Sequence, residues 1–219
     1  MPRFVFIVLI VLLVPPTPAT AQVGHAPEKS PYRSIRYGSY ALVTGGQLFG
    51  DGGRIGVGPH DGTVFGLRFT FLGDRPLQVG LGFFTGQMER LVHDPTQPPE
   101  TRTSGPVGQR VNWVDGHLQF NLTGGKAWRG VAPFVGTATG FAFGENLSED
   151  SAGFQFGTRF YLAPLVGVRF FLGSRLHLQA ESRFLFWQLK YPDKYAIPNE
   201  WVLSPWLQFG LGYAFPWPF

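Results

Sequence analysis

Apolar and polar positions alternate with a period of two residues through most of the chain, and turn residues separate the alternating segments. In the last segment every second position from Leu203 to Phe219 is apolar, and the positions between them are mostly small or polar. A strand with this pattern separates an apolar environment from a polar one. Very little of the chain shows a period of 3.6 residues. The pattern therefore predicts an all-β fold.

The alternation predicts eight strands, each long enough for the roughly 9 to 11 residues of a tilted transmembrane strand. Phe156 is assigned to the apolar face of its strand, and Gly45-Gly46 and Pro164 predict local bulges or kinks. The predicted strands cover residues 36–48, 63–71, 77–90, 110–122, 131–143, 156–171, 175–190 and 203–219.

The connections between these strands alternate between short and long. The short connections are residues 72–76, 123–130 and 172–175, and the long ones are 49–62, 91–109, 144–155 and 191–202. Short turns at one end and long Gly/Pro-rich loops at the other are typical of a bacterial outer-membrane barrel, with the short turns in the periplasm. A soluble sandwich or barrel with its polar faces in water is also compatible with the alternation alone.

The N-terminus has the features of a secretory signal peptide. Arg3 is followed by an apolar run over residues 4–14, a proline-rich break and the triplet Ala19-Thr20-Ala21. The apolar run is too short to span a bilayer as a helix, and the small residues form a cleavage site before Gln22. The predicted organisation is a signal peptide at 1–21, a periplasmic N-terminal segment at 22–35 and a barrel at 36–219.

The composition argues against an ordinary soluble domain and leaves a soluble all-β protein or a membrane barrel. Of 219 residues, 30 are Gly, 22 are Phe and none is Cys, whereas Lys and Arg together number 18 and Asp and Glu 14. Charge is scarcer than the quarter of residues usual in soluble domains. The absence of Cys excludes disulfides, Cys-ligated metals and thiol nucleophiles. The net charge of +4 is spread thinly, so no nucleic-acid partner is expected. Arginines 54, 90, 102 and 110, at the outer end, are expected to meet lipid phosphates.

About the whole mature chain resembles the small outer-membrane β-barrel proteins of Gram-negative bacteria, a group that includes the barrel domain of outer-membrane protein A. The resemblance rests on the signal peptide, the eight alternating segments and the terminal aromatics Tyr213, Phe215, Trp217 and Phe219. It implies an eight-stranded antiparallel up-and-down transmembrane β-barrel in the cell outer membrane. Phe219 is then the signal for the barrel-assembly machinery. Pro216 and Pro218 depart from the family pattern, because both lack the N–H needed for pairing.

The same resemblance implies aromatic girdles at the two membrane interfaces, where outer-membrane lipid is the partner. The periplasmic girdle is expected to contain Phe69, Phe71, Trp128, Phe170, Tyr213, Phe215 and Trp217, and the outer girdle Phe83, Phe141, Phe143, Phe184 and Phe186.

Charged residues at inward positions predict a salt-bridged network in the lumen, because buried charges persist by pairing. They are Arg68, Asp115, His117, Arg159, Arg169, His177, Glu181 and Arg183. The interior of an eight-stranded barrel is just wide enough to be filled by side chains, which favours a filled lumen. Inward glycines such as Gly80 and Gly212 leave a narrow pore or a small-ligand cavity as the alternative.

The sequence contains no strong catalytic or metal-binding motif. Lipid A deacylases and palmitoyltransferases use this architecture, but no His-x-Ser or Gly-x-Ser-x-Gly occurs in this chain. A triad of His117, Asp115 and a distant Ser stays open. The His60-Asp61 and His93-Asp94 pairs lack the spacing of dedicated metal sites, and no cofactor is predicted.

The function predicted from the sequence is a structural or surface-interaction role for an integral outer-membrane protein with a largely filled lumen. The ligand of its outer loops is unknown. The alternatives are a narrow channel for small solutes, hydrophobic ones included, and a secreted soluble ligand-binding barrel.

Overall fold

Eight long antiparallel strands pair in chain order and close on themselves. The computed structural model describes residues 30–35, 38–71, 75–146 and 153–215. Two short strands accompany the eight long ones, and a 3-10 helix covers Asp193–Tyr195. The strands are β1 (Tyr32–Ser34), β2 (Ser39–Asp51), β3 (His60–Phe71), β4 (Leu77–His93), β5 (Thr103–Asn121), β6 (Lys126–Trp128), β7 (Val131–Gly144), β8 (Thr158–Phe171), β9 (Leu176–Leu189) and β10 (Glu200–Phe215).

The long strands form an up-and-down barrel. Each pairs with the next along the chain, β5 pairs directly with β7, and β10 pairs with β2 to close the sheet. All these pairings are antiparallel. Closure removes every open edge of the eight-stranded sheet. The predicted fold class and strand number are confirmed.

The side chains of each strand alternate between the lumen and an apolar outer surface. In β4 the alternation is unbroken from Leu77 to Arg90, where exposed and buried positions follow each other strictly. Large apolar side chains cover the outside of the barrel, and many are about half exposed, for example Phe65 at 62%, Phe83 at 58% and Phe209 at 59%. An apolar band of this kind is stable in lipid and unfavourable in water. The soluble alternative is therefore unsupported.

Strands β4 and β5 are longer than predicted, at 17 and 19 residues. The predicted loop at 91–109 is wrong, because only residues 94–102 connect the two strands. Above the membrane a hairpin has water on both faces, so its sequence does not need to alternate. A register shift between Arg90 and Val92 lies opposite Gly105-Pro106, where Pro106 lacks an N–H for the ladder.

The two bulges or kinks that the sequence predicts, at Gly45-Gly46 and at Pro164, are not register shifts in the structure. Gly45 and Gly46 pair regularly with β3, and the register shift in β2 falls between Leu48 and Asp51. Pro164 causes no bulge, since the register of β8 with β7 is continuous through it and the register with β9 is the same on both sides. Only the pairing to β9 is interrupted, at Ala163 and Pro164, because proline lacks one donor but fits an extended backbone.

Phe156 is not on the apolar outer face. It is fully buried and its ring lies 5.4 Å from that of Trp187, inside the barrel. The alternation starts only at Thr158, because Gly157 has φ +58°, a left-handed conformation that glycine adopts without strain. The chain before Gly157 therefore turns over the barrel mouth.

The periplasmic end carries the two short strands. Tyr32–Ser34 pair with Lys126–Trp128, and Ile35 packs with Ala127, Ala132 and Phe171. Strand β6 lies within the predicted short connection 123–130, and β1 within the predicted N-terminal segment. The signal peptide, Pro216, Trp217, Pro218 and Phe219 lie outside the described residues. In the part of the chain that the structure describes, no helix is long and apolar enough to cross a membrane.

Candidate functional site

The lumen near the middle of the barrel holds a buried ion-pair network centred on Glu181 of β9. Arg68 of β3 donates to both of its oxygens, at 2.8 and 2.7 Å. Arg183 donates through Nε to Glu181 at 2.6 Å and through Nη1 to Asp115 Oδ2 at 2.5 Å. The side chains of these four residues are at most 1% exposed. These charge-assisted bonds, which are bidentate between Arg68 and Glu181, link β3, β5 and β9 across the barrel.

Arg169 forms a second cluster towards the periplasm, where it meets amides instead of carboxylates. Its Nε donates to Gln179 at 3.1 Å, Nη1 donates to Asn121 at 2.6 Å, and Nη2 donates to Gln119. Gln119 and Gln179 in turn donate to Glu181 and so join the two clusters. The guanidinium also lies over the rings of Phe134, at 4.3 Å, and Tyr40, at 5.4 Å, which stabilises its charge.

The two lumen histidines fill space that glycines leave open. A Cβ on Gly80 would lie 2.5 Å from His117 Nε2, and one on Gly212 would lie 2.1 Å from His177 Cε1. His177 also packs edge-on against the ring of Tyr40, with centroids 4.8 Å apart. The inward glycines at these two positions therefore accept imidazole rings and do not widen a pore.

One group of lumen residues has the residue types of a catalytic triad, with Thr70 as nucleophile, His117 as base and Asp115 as carboxylate. The distances between them are not those of a triad. Thr70 Oγ1 and His117 Nε2 are 3.1 Å apart. His117 Nδ1 and Asp115 Oδ1 are 3.9 Å apart, too far for the hydrogen bond that orients such a base. All three residues are buried. The structure thus brings a threonine to the predicted pair, but it builds no relay.

Arg159 lies apart from the other seven predicted lumen residues. It is half-buried, donates to the Gln155 carbonyl at 3.2 Å and lies over the Phe156 ring at 5.8 Å. The predicted lumen network therefore includes one residue that belongs to the extracellular mouth. Among the described residues no three His, Asp or Glu side chains are grouped to hold a metal ion.

The extracellular half of the lumen is aromatic, whereas the sequence predicts a polar interior. Trp206 packs against Phe84 and Trp113, with centroids 4.9 and 5.7 Å apart, and Arg183 lies over the Phe84 and Trp206 rings. Trp113, Trp187 and Trp206 are fully buried. The signal was present, because these residues occupy inward positions of the alternation. The predicted polar interior describes only the periplasmic half of the lumen.

Three extracellular segments close the mouth above this aromatic layer. Val57 from the β2–β3 loop is fully buried in the core, and Gly56 accepts a bond from the Leu91 N–H at 3.0 Å. Glu200 accepts from the Arg54 N–H at 2.6 Å and from the Tyr191 hydroxyl. Burial and this bond to Glu200 raise the pKa of Tyr191. The third segment is the stretch that precedes β8, and its Phe154 is also buried in the core.

The predicted girdle residues within the described chain point outwards. Trp128, Phe170 and Tyr213 are 42–45% exposed near the periplasmic end, and Phe186 is 39% exposed near the outer end. Phe184 and Phe215 are partly exposed. The prediction that Arg90 meets lipid phosphates is wrong. Arg90 is 1% exposed and lies over the Phe154 ring at 5.5 Å, because its position in β4 faces inwards.

Comparison with protein families and with curated proteins finds no match. Solved structures do match. The outer membrane protein OprG from Pseudomonas aeruginosa has a TM-score of 0.56 at 15% identity, with 83% of this chain and 98% of that chain covered. Neisserial surface protein A has a TM-score of 0.53 at 14% identity, with 81% and 97% covered.

At these identities the likeness concerns the fold, and the closed barrel and its exposed apolar band agree with it. The chain therefore has the fold of the small eight-stranded outer-membrane β-barrels, and the predicted location in the outer membrane agrees with that fold.

Proposed function

We propose that this protein is a non-conducting outer-membrane barrel that acts through its outer and extracellular surfaces. The observation that carries the proposal is the filling of the lumen by two stacked layers. The ion-pair network around Glu181, together with the Arg169 cluster, fills the lumen from the middle of the barrel towards the periplasm, and the aromatic layer around Trp206 fills the extracellular half. The loop around Val57 covers the upper layer. A path for solutes requires both layers to move.

The hairpin of β4 and β5 is the main element available for contacts outside the membrane. A transmembrane strand needs roughly 9 to 11 residues, so strands of 17 and 19 residues project well beyond the bilayer. The hairpin end at 94–102 is polar and charged, and Asp94 accepts bonds from the N–H and hydroxyl of Thr96 that fix the turn. We assign the surface-interaction role to this hairpin, with outer-membrane lipid around its base. Insertion by the barrel-assembly machinery through Phe219 is part of the same proposal.

The proposal includes no catalytic role. Support comes from the buried Thr70, His117 and Asp115, which lack both a hydrogen-bonded relay and access for a substrate. The structures with a similar fold are described as an outer membrane protein and a surface protein, not as enzymes.

Single-channel recording tests the proposal. The mature protein, refolded in detergent and checked for a gel shift between boiled and unboiled samples, is added to a planar lipid bilayer. We expect no defined conductance step in wild type, because both layers block the lumen. Reproducible unitary steps from folded wild type would overturn the proposal and would favour the narrow channel for small solutes.

A matched pair of variants sharpens this test. Trp206→Ala removes a ring from the upper layer only, so the lower network should still block the lumen and the variant should remain silent. Leu207→Ala, on the lipid-facing side of the same strand, controls for a general loss of stability. If Trp206→Ala conducts and Leu207→Ala does not, the lower layer does not seal the barrel, contrary to the proposal.

A further inference from the structure

The outer surface of the barrel differs between its two halves near the extracellular rim. On β7 to β10 most outward residues there are large and apolar, such as Phe143, Phe160 and Trp201, which are 40–64% exposed. Thr158 and Gln188 are polar exceptions. On β2 to β5 the outward residues near the rim are polar, and we call them the polar sector: Gln47, Thr63, Thr85, Gln87, Arg110 and Asn112. The outer aromatic girdle thus covers only part of the circumference.

The polar sector is continuous across four strands. Thr63 is the cross-strand neighbour of both Gln47 and Gln87, and Gln87 is that of Arg110. In the next row towards the periplasm Thr85 is paired with Asn112. Thr63 Oγ1 donates to Gln47 Oε1 at 3.2 Å. The sector is therefore one patch of hydroxyl, amide and guanidinium groups.

Part of this patch lies at the depth of the hydrocarbon. Gln47 is six residues from Ala41, the first outward residue of β2 after Ser39 begins the strand. At about 3.3 Å per residue and a tilt near 40°, this is roughly 15 Å of height, less than the roughly 25 Å of a full apolar band. On β10 the outward apolar run from Tyr213 to Trp201 is twice as long. Polar groups at this depth are unfavourable against acyl chains, so they need a polar partner in the outer leaflet.

An apolar groove of about 520 Å³ lies directly below the sector. Its outward-facing walls are Val43, Phe65, Leu67, Phe83 and Val114, which are 38–62% exposed, and Thr85 and Asn112 form its upper end. Arg110 follows Asn112 on the same face of β5. Its exposed side chain forms no hydrogen bond or ion pair with the described residues. An apolar groove, a polar rim and a free cation therefore follow one another towards the outside.

We propose that the polar sector and the groove bind a phosphorylated glycolipid of the outer leaflet. An acyl chain lies in the groove, the amides and hydroxyls of the sector bond to the sugar, and the Arg110 guanidinium binds a phosphate through its planar fork. The Glu145 N–H donates to the Arg110 carbonyl at 2.9 Å, so the phosphate must approach the Arg110 fork from the side away from the Glu145 carboxylate. The site faces lipid and does not depend on whether the lumen conducts.

Native mass spectrometry of the refolded mature protein tests the site. The probe is a bis-phosphorylated, hydroxyacylated glucosamine disaccharide, compared with its dephosphorylated form. We expect Arg110→Gln to weaken binding of the phosphorylated probe about tenfold, as for one lost charge-assisted bond, and to leave the dephosphorylated form unaffected. Thr85→Leu with Asn112→Leu should weaken both forms, because the polar rim is lost.

Arg54→Gln is the matched control. Arg54 is also exposed on the extracellular side but lies in the β2–β3 loop, outside the sector, and its backbone N–H, not its side chain, bonds to Glu200. The sequence also predicts that Arg54 meets lipid phosphates, but the proposed site assigns it no contact with the probe. Its removal should change affinity less than twofold. A boiled and unboiled gel comparison establishes that each variant is folded. Equal losses in Arg54→Gln and Arg110→Gln, or no loss in either, would overturn the site. A dimer of wild type that Thr85→Leu with Asn112→Leu abolishes, without glycolipid binding, would assign the sector to a second copy of the chain instead.

Discussion

Replacing Glu181 by Gln should destabilise the barrel strongly. Glu181 accepts five hydrogen bonds, from Arg68 twice and from Arg183, Gln119 and Gln179. The substitution keeps the shape but removes the charge that holds two guanidiniums, and it points an NH2 group at existing donors. Breaking a buried ion pair by removing one partner costs about 3–5 kcal/mol, which is the expected fall in the free energy of unfolding.

The assay is urea-induced unfolding of the protein in lipid vesicles, followed by tryptophan fluorescence. Ser182→Ala is the matched control, because Ser182 is the next residue on β9 and faces outwards, with Val166 and Leu207 as cross-strand neighbours. It should change the free energy of unfolding by less than about 0.5 kcal/mol. A loss below about 1 kcal/mol in Glu181→Gln would refute a strongly coupled network.

A double variant separates the network from a simple loss of bonds. Arg68→Met, added to Glu181→Gln, removes the guanidinium that the first change leaves unpaired, whereas Arg183 keeps its bond to Asp115. The double variant should therefore be less destabilised than the sum of the two single changes, by at least about 1 kcal/mol. Strict additivity would show that the pair does not act as a unit.

Three further changes test other parts of the structure. Gly53 has φ +76°, and a Cβ there would lie 2.6 Å from Glu200 Oε1, so Gly53→Ala strains the β2–β3 loop and should make it open more often. Tryptic cleavage after Arg54 should then be about tenfold faster than in wild type. Arg169→Lys should lower the free energy of unfolding by about 2 kcal/mol in urea, because an ammonium cannot reproduce the three-amide fork. Tyr191 has a raised pKa, so its contribution to stability is present below about pH 10 and is lost as the pH rises through that raised pKa. Stability curves of wild type and Tyr191→Phe should therefore differ at pH 8 and converge in strong alkali.

The parts of the fold that touch lipid were predictable from the sequence. Lipid requires an apolar side chain at every second position, so the eight strands and their outward faces follow from alternation alone. Above the membrane this requirement ends. The hairpin extension of β4 and β5 and the inward turn at Phe156 therefore had no periodic signal, and both were predicted wrongly.

The inward faces were only half predictable. Alternation assigns Arg68 and Glu181 to the lumen, and their charges indicate pairing. The same alternation also places Phe84 and Trp206 inside, but apolar residues at inward positions carry no sign of which partners they meet. The contact between Arg183 and the Trp206 ring, which joins the two layers, follows from the stagger of the strands around the closed barrel. That stagger is set by pairing between strands and is not visible along one strand.

The combination of a filled lumen and a non-uniform exterior locates recognition on the outside of the barrel. Inside, every described charge of the central network has a partner within 2.8 Å, and His117 and His177 occupy the space beside Gly80 and Gly212. Such a network gives rigidity, because its buried charges are already paired with one another. Outside, the polar sector breaks the aromatic girdle at a depth where lipid alone cannot satisfy it. A barrel that needed only to stay in the membrane would have no reason to carry polar groups there, and their position next to an apolar groove is what a bound amphiphile requires.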